Sequence, residues 1–486
     1  MQNLMGEKIM RQTKIICTIG PACNDKQTIL KMIDAGMDVA RFNMSHGKYD
    51  ELEETFAIVK EAIAESGKNV ALLLDTKGPE VRIGHFQGGS TEVVDGQEFS
   101  LYRDETIGNS EGVSISYPKL IKKLKKDNKA KGLTLLLDDG KISMEVQKVL
   151  DDRIVCKVLV GGVLGSRKSI NIPDYHIDMP YVSAKDREDI AFGLKMGINV
   201  IAASFVRNAD DVRTLRDYVE SIGGEHLGII SKIENQAGVD DIENILDESD
   251  GIMVARGDMG VEIPFMELPE IQKALIFKAV LRGKFVITAT QMLESMTTCP
   301  RPTRAEISDV ANAVYDGTSA VMLSGESAAG MYPVESVKAL SAICEEAEAH
   351  REFSNLESLI DTYEVGKSLR QNLCASAKTI AENIGASAII VESATGHVPR
   401  IMAHYRPKCP IIAVVTDESV CKKLCLYWGI TSILCEEKRT IEEITAQSKE
   451  KALETGLVKK GDTVIVLTSS RTLHSAGADT LNIRDI

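Results

Sequence analysis

No stretch of this chain reaches the roughly 18 uncharged apolar residues that a membrane-crossing helix requires. The opening run Met1 to Lys14 carries Glu7, Lys8, Arg11 and Lys14 where a secretory signal would hold its apolar segment. Its 10 cysteines include no Cys-x-x-Cys pair, which argues against a zinc or dithiol framework and for reduced thiols in the cytoplasm. Positive charge is in deficit: 57 Lys and Arg against 71 Asp and Glu give a net charge of -14, which excludes nucleic acid and anionic membrane as expected partners. Neither a Gly-x-x-x-x-Gly-Lys-Ser/Thr run nor a Gly-rich loop with an Asp-Phe-Gly partner occurs, so the two common phosphotransferase designs are absent. Internal repeats and low-complexity runs are missing too. Small molecules are the expected partners.

What is present is a chain of 486 residues, 44% hydrophobic and 26% charged, long enough for about three domains. Eight short apolar or β-branched runs recur: Lys14 to Cys17, Val39 to Phe42, Val70 to Leu74, Val200 to Ala203, Gly228 to Ile233, Ile252 to Val254, Phe285 to Thr288 and Ala320 to Leu323. Helix-length amphipathic stretches separate them, including Tyr49 to Ser66, Ala184 to Met196, Asp210 to Ile222, Gln236 to Glu248 and Thr303 to Tyr315, with Asp210, Thr303 and Pro333 as start signals. Strands buried on both faces and alternating with helices predict a parallel sheet, and eight units predict a closed (β/α)₈ TIM barrel. The rhythm breaks between the third and fourth strands, where alternating runs such as Lys141 to Val149 and Ile154 to Val160 predict an inserted small β-barrel lid. Asp178, Met179 and Pro180 read as the return linker, and Ser183 as the cap of the next helix. A helix from about Val365 and strands near Ile389, Ile411, Ser432 and Val464 predict an open C-terminal α/β domain. The expected boundaries are 1–77 and 176–351 for the barrel, 78–175 for the lid and 352–486 for the C-terminal domain.

Polar residues gather just after the strands, at the end of a barrel where catalysis resides. Strand two runs into Arg41, Asn43 and Ser45; strand three into Asp75, Thr76 and Glu80; strand five carries Lys232 and Glu234; strand six runs into Gly257 and Asp258, strand seven into Thr290 and strand eight into Ser324. Glu234 and Asp258 offer carboxylate oxygen with no Cys or His beside them, which suits Mg²⁺ or Mn²⁺ better than zinc. Arg41 and Lys232 offer fixed positive charge for an anionic group in transfer. Asn43, Ser45, Asp75 and Thr76 offer oxygens for a larger monovalent cation. A Lys or Glu at a strand end is by itself usually a solvated terminus. Lys232 and Glu234, two residues apart on a strand, share a face, and that favours function.

The runs Ile16 to Pro21, Arg41 to Gly47, Asp75 to Arg82, Lys232 to Asn235, Arg256 to Glu262 and Ala289 to Glu294 resemble pyruvate kinase motifs, in that family's order and across nearly the whole chain. The resemblance implies phosphoryl transfer from phosphoenolpyruvate to ADP, giving pyruvate and ATP, in a homotetramer. It implies that Arg41 contacts the substrate phosphate and that Lys232 stabilises the phosphoryl group in transit. Glu234 and Asp258 would chelate the divalent ion, and Gly257, Asp258 and Thr290 would line the carboxylate site. Asn43, Ser45, Asp75 and Thr76 would hold K⁺, Arg82 and Lys185 would meet the nucleotide phosphates, and a water near Thr290 and Ser324 would deliver a proton to carbon. K⁺-independent relatives carry Lys where this chain has Glu80, so Glu80 beside Asp75 predicts K⁺ dependence.

Other features read more plainly. Cys17, Cys23 and Cys299 are expected as small buried hydrophobes, His46 as a packing residue, and the clusters Asp240 to Asp250 and Lys119 to Lys131 as solvated surface. The loop Ser393, Thr395, Gly396 and His397 precedes a helix, which can receive phosphate, and the resemblance implies a phosphorylated effector there. Val398 stands where activated relatives keep a hydroxyl. Two rival readings are a phosphoenolpyruvate-using lyase or aldolase barrel, which leaves the lid and Lys232 unexplained, and a dead metabolite sensor, which predicts losses at Lys232, Glu234, Asp258 or Thr290 that the sequence does not have.

Overall fold

The computed structural model describes residues 11–45, 47–127, 130–173, 175, 177, 179–350, 368–436, 441–469 and 478–486. His46, Asp178, Val365 and the expected 351/352 boundary lie outside the described residues. Eight strands, Lys14–Thr18, Val39–Asn43, Ala71–Asp75, Val200–Ala203, Gly228–Ile233, Gly251–Ala255, Phe285–Ala289 and Ala320–Leu323, close into a barrel in chain order, each parallel to its neighbours. Their residues are buried almost without exception, because side chains alternate between the barrel interior and the surrounding helices. The register sets Asn43 beside Asp75 and Asp75 beside Ala202, so the polar ends of strands two, three and four stand at one level.

Local chemistry explains the helix starts. Ser183 and Thr303 each form a reciprocal capping box, with Asp186 and Glu306, and Pro333 occupies a first helical position. Asp210 is not the cap expected of it. Asn208 is extended and its side chain accepts from Asp211 N, which starts the helix Ala209–Ser221 before Asp210. The stretch from Gln236 is two helices, Gln236–Asp240 and Ile242–Glu248, divided at Asp241.

Between barrel strands three and four, seven strands form a mixed sheet with its own core around Phe99, Leu101, Met144 and Cys156. The sheet's end strands, Val81–Arg82 and Gly112–Ser114, meet through an Ile83–Ile115 bridge, with Gly84 N donating to Ser114 O at 2.8 Å and Ser116 N to Arg82 O at 2.7 Å. The sheet thus curls round on itself. Arg207, in the loop after barrel strand four, donates to Ile177 O and Met179 O and pins the returning linker. A cleft of about 330 Å³ opens along both linkers, beside Lys232 and Glu234 but lined by neither.

The C-terminal sheet runs in the order Ile430–Leu434, Ile411–Val415, Ala388–Glu392, Thr463–Thr468, Thr480–Asp485. The first four strands are parallel and the last antiparallel. That edge strand alternates Leu481 and Ile483 with polar residues but buries none of them fully, and two apolar positions are too few to mark a strand in the sequence. Among the described residues no helix is long and apolar enough to cross a membrane.

Candidate active site

Arg41, the third residue of strand two, is buried. Its Nε donates to Asp75 Oδ2 at 2.7 Å and its Nη1 to Thr18 Oγ1 at 2.7 Å. Lys232 reaches the same carboxylate from strand five: Nζ lies 3.1 Å from Asp75 Oδ1, 2.8 Å from Ser204 Oγ and 2.9 Å from Glu234 Oε1. Burial alone would raise the Asp75 pKa, but Lys232 and Arg41 outweigh it and hold the carboxylate below its ordinary value. Burial likewise opposes charge on Lys232, yet Asp75 and Glu234 raise its pKa, so this ammonium is a fixed cation rather than an acid.

Glu234 has the opposite balance. Burial pushes its carboxyl up to about 8, with Lys232 pulling down and Asp258 pushing further up. Oε2 accepts from Phe205 N at 2.6 Å, and Oε1 faces the Lys232 ammonium at 2.9 Å in an ion pair. Phe205 has φ +55°, which favours glycine, and this turn aims its N–H at Glu234. Asp258 sits in the first turn of the helix Arg256–Glu262 after strand six, half-buried, and its charge acts on Lys232, Glu234 and Glu80. A buried carboxylate beside a second carboxylate, with one lysine between them and Asp75, fits a hard divalent cation. Among the described residues no group of three or more His, Cys, Asp and Glu side chains is placed to hold one metal ion, so two carboxylates leave most of such an ion's coordination to substrate and water.

Thr290 follows strand seven with φ +67°. Its Oγ1 donates to Ala289 O at 2.6 Å and accepts from Gly257 N at 2.9 Å, which ties the strand-six and strand-seven ends together. Arg256 holds this turn by donating to Ala289 O and Thr290 O, while Asp309 grips its Nη1 at 2.7 and 2.8 Å. Ser324 is half-buried at the end of strand eight, where its N–H donates to Glu326 Oε2 at 2.8 Å.

Asn43 Oδ1 accepts from Ser45 N at 3.0 Å, and Thr76 O accepts from Ser204 Oγ at 2.7 Å. Asp75, Thr76 and Asn43 therefore adjoin one another, with Ser45 exposed at the rim. Glu80 is not the uncompensated charge expected of it. Arg82 Nε donates to Glu80 Oε2 at 2.6 Å, so the protein supplies a counter-ion, although burial still raises the carboxyl's pKa. Lys185 donates to Tyr49 Oη and to Asp189 Oδ1, both at 2.7 Å. Arg82 and Lys185 are thus each held by an acid of their own, Glu80 and Asp189.

Three residues were missed: Thr18, Ser204 and Phe205, at the ends of strands one and four. Their position directly after barrel strands was the available signal, but Ser-Phe carries no charge to draw notice. Gly78 shows how closely this corner is packed. At φ +72° a Cβ there would lie 2.8 Å from Ser204 O. Cys17 and Cys23 are buried as expected, but Cys299 is exposed, because it falls in the surface turn ahead of the helix that Thr303 caps. In the C-terminal domain Ser393 Oγ accepts from Gly396 N at 3.1 Å, while Thr395 and His397 are exposed.

Comparison with known proteins bears on this geometry. The family model described as pyruvate kinase, barrel domain, matches residues 10–337, and that described as pyruvate kinase, alpha/beta domain, matches residues 371–484. The pyruvate kinase of Geobacillus stearothermophilus is 45% identical over 94% of this chain and 77% of its own length. That of Clostridium acetobutylicum is 42% identical over 98% of this chain and 99% of its own. A crystal structure of a pyruvate kinase from Cryptosporidium parvum, 38% identical, superposes with a TM-score of 0.89 over 98% of this chain and 96% of that one. With both family domains matched in order and the polar strand ends converging on one buried cluster, the chain belongs to the pyruvate kinase family, the phosphotransferases of glycolysis that move the phosphoryl group of phosphoenolpyruvate to ADP.

Proposed function

We propose that the reaction runs on the Lys232 cluster, with the residue roles read from the sequence. The observation that supports this best is the Lys232 ammonium, buried between Asp75, Ser204 and Glu234. Lys232 and Arg41 face the phosphoryl group and neutralise its oxygens as the bond to the enol oxygen breaks and the bond to the ADP oxygen forms. Arg41 is held for this by Thr18 and Asp75, and Lys232 by Ser204, so neither has to reorganise during transfer. Glu234 and Asp258 would hold Mg²⁺ or Mn²⁺, which when bound supplies Lewis-acid stabilisation of phosphoryl and enolate oxygens. The turn Gly257–Asp258 and Thr290 would receive the substrate carboxylate, the Gly257 N–H being shared with Thr290 Oγ1.

Phosphoenolpyruvate loses its phosphoryl group as an enolate, and carbon then gains a proton. Lys232 is unsuited to give it, since Asp75 and Glu234 hold its proton tightly. Thr290 Oγ1 spends its own proton on Ala289 O, which favours a water between Thr290 and Ser324 as the donor. Asn43, Ser45, Asp75 and Thr76 would ligate K⁺. Arg82 and Lys185 would meet nucleotide phosphates after exchanging their partners Glu80 and Asp189 for them. A homotetramer, a phosphorylated effector at Ser393 to His397 and a cytoplasmic setting complete the reading, and isotherms with fructose bisphosphate, ribose phosphate and AMP test the effector. The whole assignment is tested by pyruvate formation from phosphoenolpyruvate and ADP with Lys232→Met as control. Activity no greater than that control would overturn it.

A further inference from the structure

Glu234, read above as a holder of the divalent ion, is itself held from the lid's returning linker. Phe205 N donates to Glu234 Oε2 at 2.6 Å, and the carbonyl of the same peptide unit, Ser204 O, accepts from Tyr181 Oη at 3.0 Å. A trans peptide is planar, with its C=O and N–H pointing in opposite directions, so whatever fixes the oxygen fixes the line along which the N–H points. One peptide plane thus stands between a linker tyrosine and the metal-site carboxylate. A donor on the carbonyl also polarises the unit and strengthens the bond that its N–H gives.

That plane needs outside support. It leads into Phe205, whose φ of +55° suits glycine and persists in a larger residue only where the surroundings impose it. Ser204 N donates to Thr76 Oγ1 at 3.1 Å, which anchors the chain just before the plane. Tyr181 is fitted to anchor the plane itself. It is buried, and burial, Asp211 and Glu234 raise its phenol well above the ordinary value, so the hydroxyl keeps the proton it donates. Arg207 steadies the segment that carries the tyrosine: Asp211 grips its guanidinium at 2.8 Å through both oxygens, and it donates to Ile177 O and Met179 O just ahead of Tyr181.

We propose that Tyr181 is a positioning residue for the metal site, acting on Glu234 through the Ser204–Phe205 peptide. The proposal rests on the reading of Glu234 as a ligand of the divalent ion. Its hydroxyl keeps the Phe205 N–H on Oε2 and so sets the orientation of the carboxylate that would receive the metal.

Tyr181→Phe deletes the hydroxyl and little else, and Mn²⁺ binding to the metal-free variant is followed by electron paramagnetic resonance. Affinity should fall by about threefold or more, because groups behind a metal ligand tune its grip. Tyr218→Phe loses a comparable bond, Oη to Arg187 O at 2.8 Å, between two helices outside the barrel, and should bind Mn²⁺ as wild type does. In steady state the Mn²⁺ activation constant of Tyr181→Phe should rise by the same factor, with kcat at saturating Mn²⁺ within about twofold of wild type. A tyrosine of merely structural use would lower Tm and leave the Mn²⁺ affinity of the folded protein unchanged. A wild-type measurement stands beside the variant: Mg²⁺ should slow amide exchange across residues 179–183, since a linker that favours the metal is favoured by it in turn. Wild-type Mn²⁺ affinity in Tyr181→Phe, an equal loss in Tyr218→Phe, or exchange indifferent to Mg²⁺ would each overturn the proposal. If Glu234→Gln also bound Mn²⁺ normally, the reading of Glu234 would fail with it; if Glu234→Gln alone lost the ion, only the role of Tyr181 would.

Discussion

The two ends of the same barrel strands are charged in opposite senses. At the C-terminal end three carboxylates, Asp75, Glu234 and Asp258, stand near two cations, Arg41 and Lys232, and the shortfall appears in the raised Glu234 carboxyl, pushed up by burial and by Asp258. At the N-terminal end Arg216, Lys284, Arg400 and Lys423 crowd around Asp250. Counting charges alone would call both ends polar. At the C-terminal end the sign left over makes a place for a metal.

The comparison breaks most sharply at Lys232. Replacing it with Met removes the cation shared by Asp75 and Glu234, and kcat/KM should fall by about 10³ or more in a coupled steady-state assay. A loss below about tenfold would mean that the transferred group is neutralised elsewhere. Withdrawal of K⁺ comes next: with tetramethylammonium as the only monovalent cation, kcat should drop by about tenfold or more. Arg82 already pairs with Glu80, so equal activity in both salts would show that this pairing suffices. Ser204→Ala tests the strand-four end that the sequence hid. It removes the hydroxyl joining Lys232, Asp75 and Thr76, and kcat should fall by roughly 10-fold with KM for ADP little changed. An unchanged kcat would reduce Ser204 to packing.

A smaller effect lies in stability. The Glu234 carboxyl is pushed up to about 8 from an ordinary 4.5, so its contribution to metal-free stability is fully present below about 4.5 and is lost as pH rises through about 8. Tm of metal-free protein should decline across that window, and Glu234→Gln should flatten the decline. Equal slopes in the two proteins would show that Glu234 is already charged and satisfied.

The eight strands were legible because burial on both faces leaves apolar runs that polar helix faces do not. Val200–Ala203, Gly228–Ile233 and Ala320–Leu323 fall where the sequence put them. Charged site residues were legible for the same reason, since charge stands out after an apolar run. Ser204, Phe205 and Thr18 were not, because an uncharged residue at a strand end looks like ordinary continuation; their role comes from Arg41, Lys232 and Glu234 arriving beside them. Pairings that join distant segments, such as Ile83 with Ile115 closing the lid sheet, depend on backbone curvature that no local pattern encodes.

The claim that the C-terminal strand ends are short of positive charge is tested most directly by Mn²⁺ binding to metal-free protein, followed by electron paramagnetic resonance. One Mn²⁺ per chain should bind to wild type and to Lys423→Met, and Glu234→Gln should lose it by about tenfold or more in affinity. Wild-type affinity in Glu234→Gln would contradict the account.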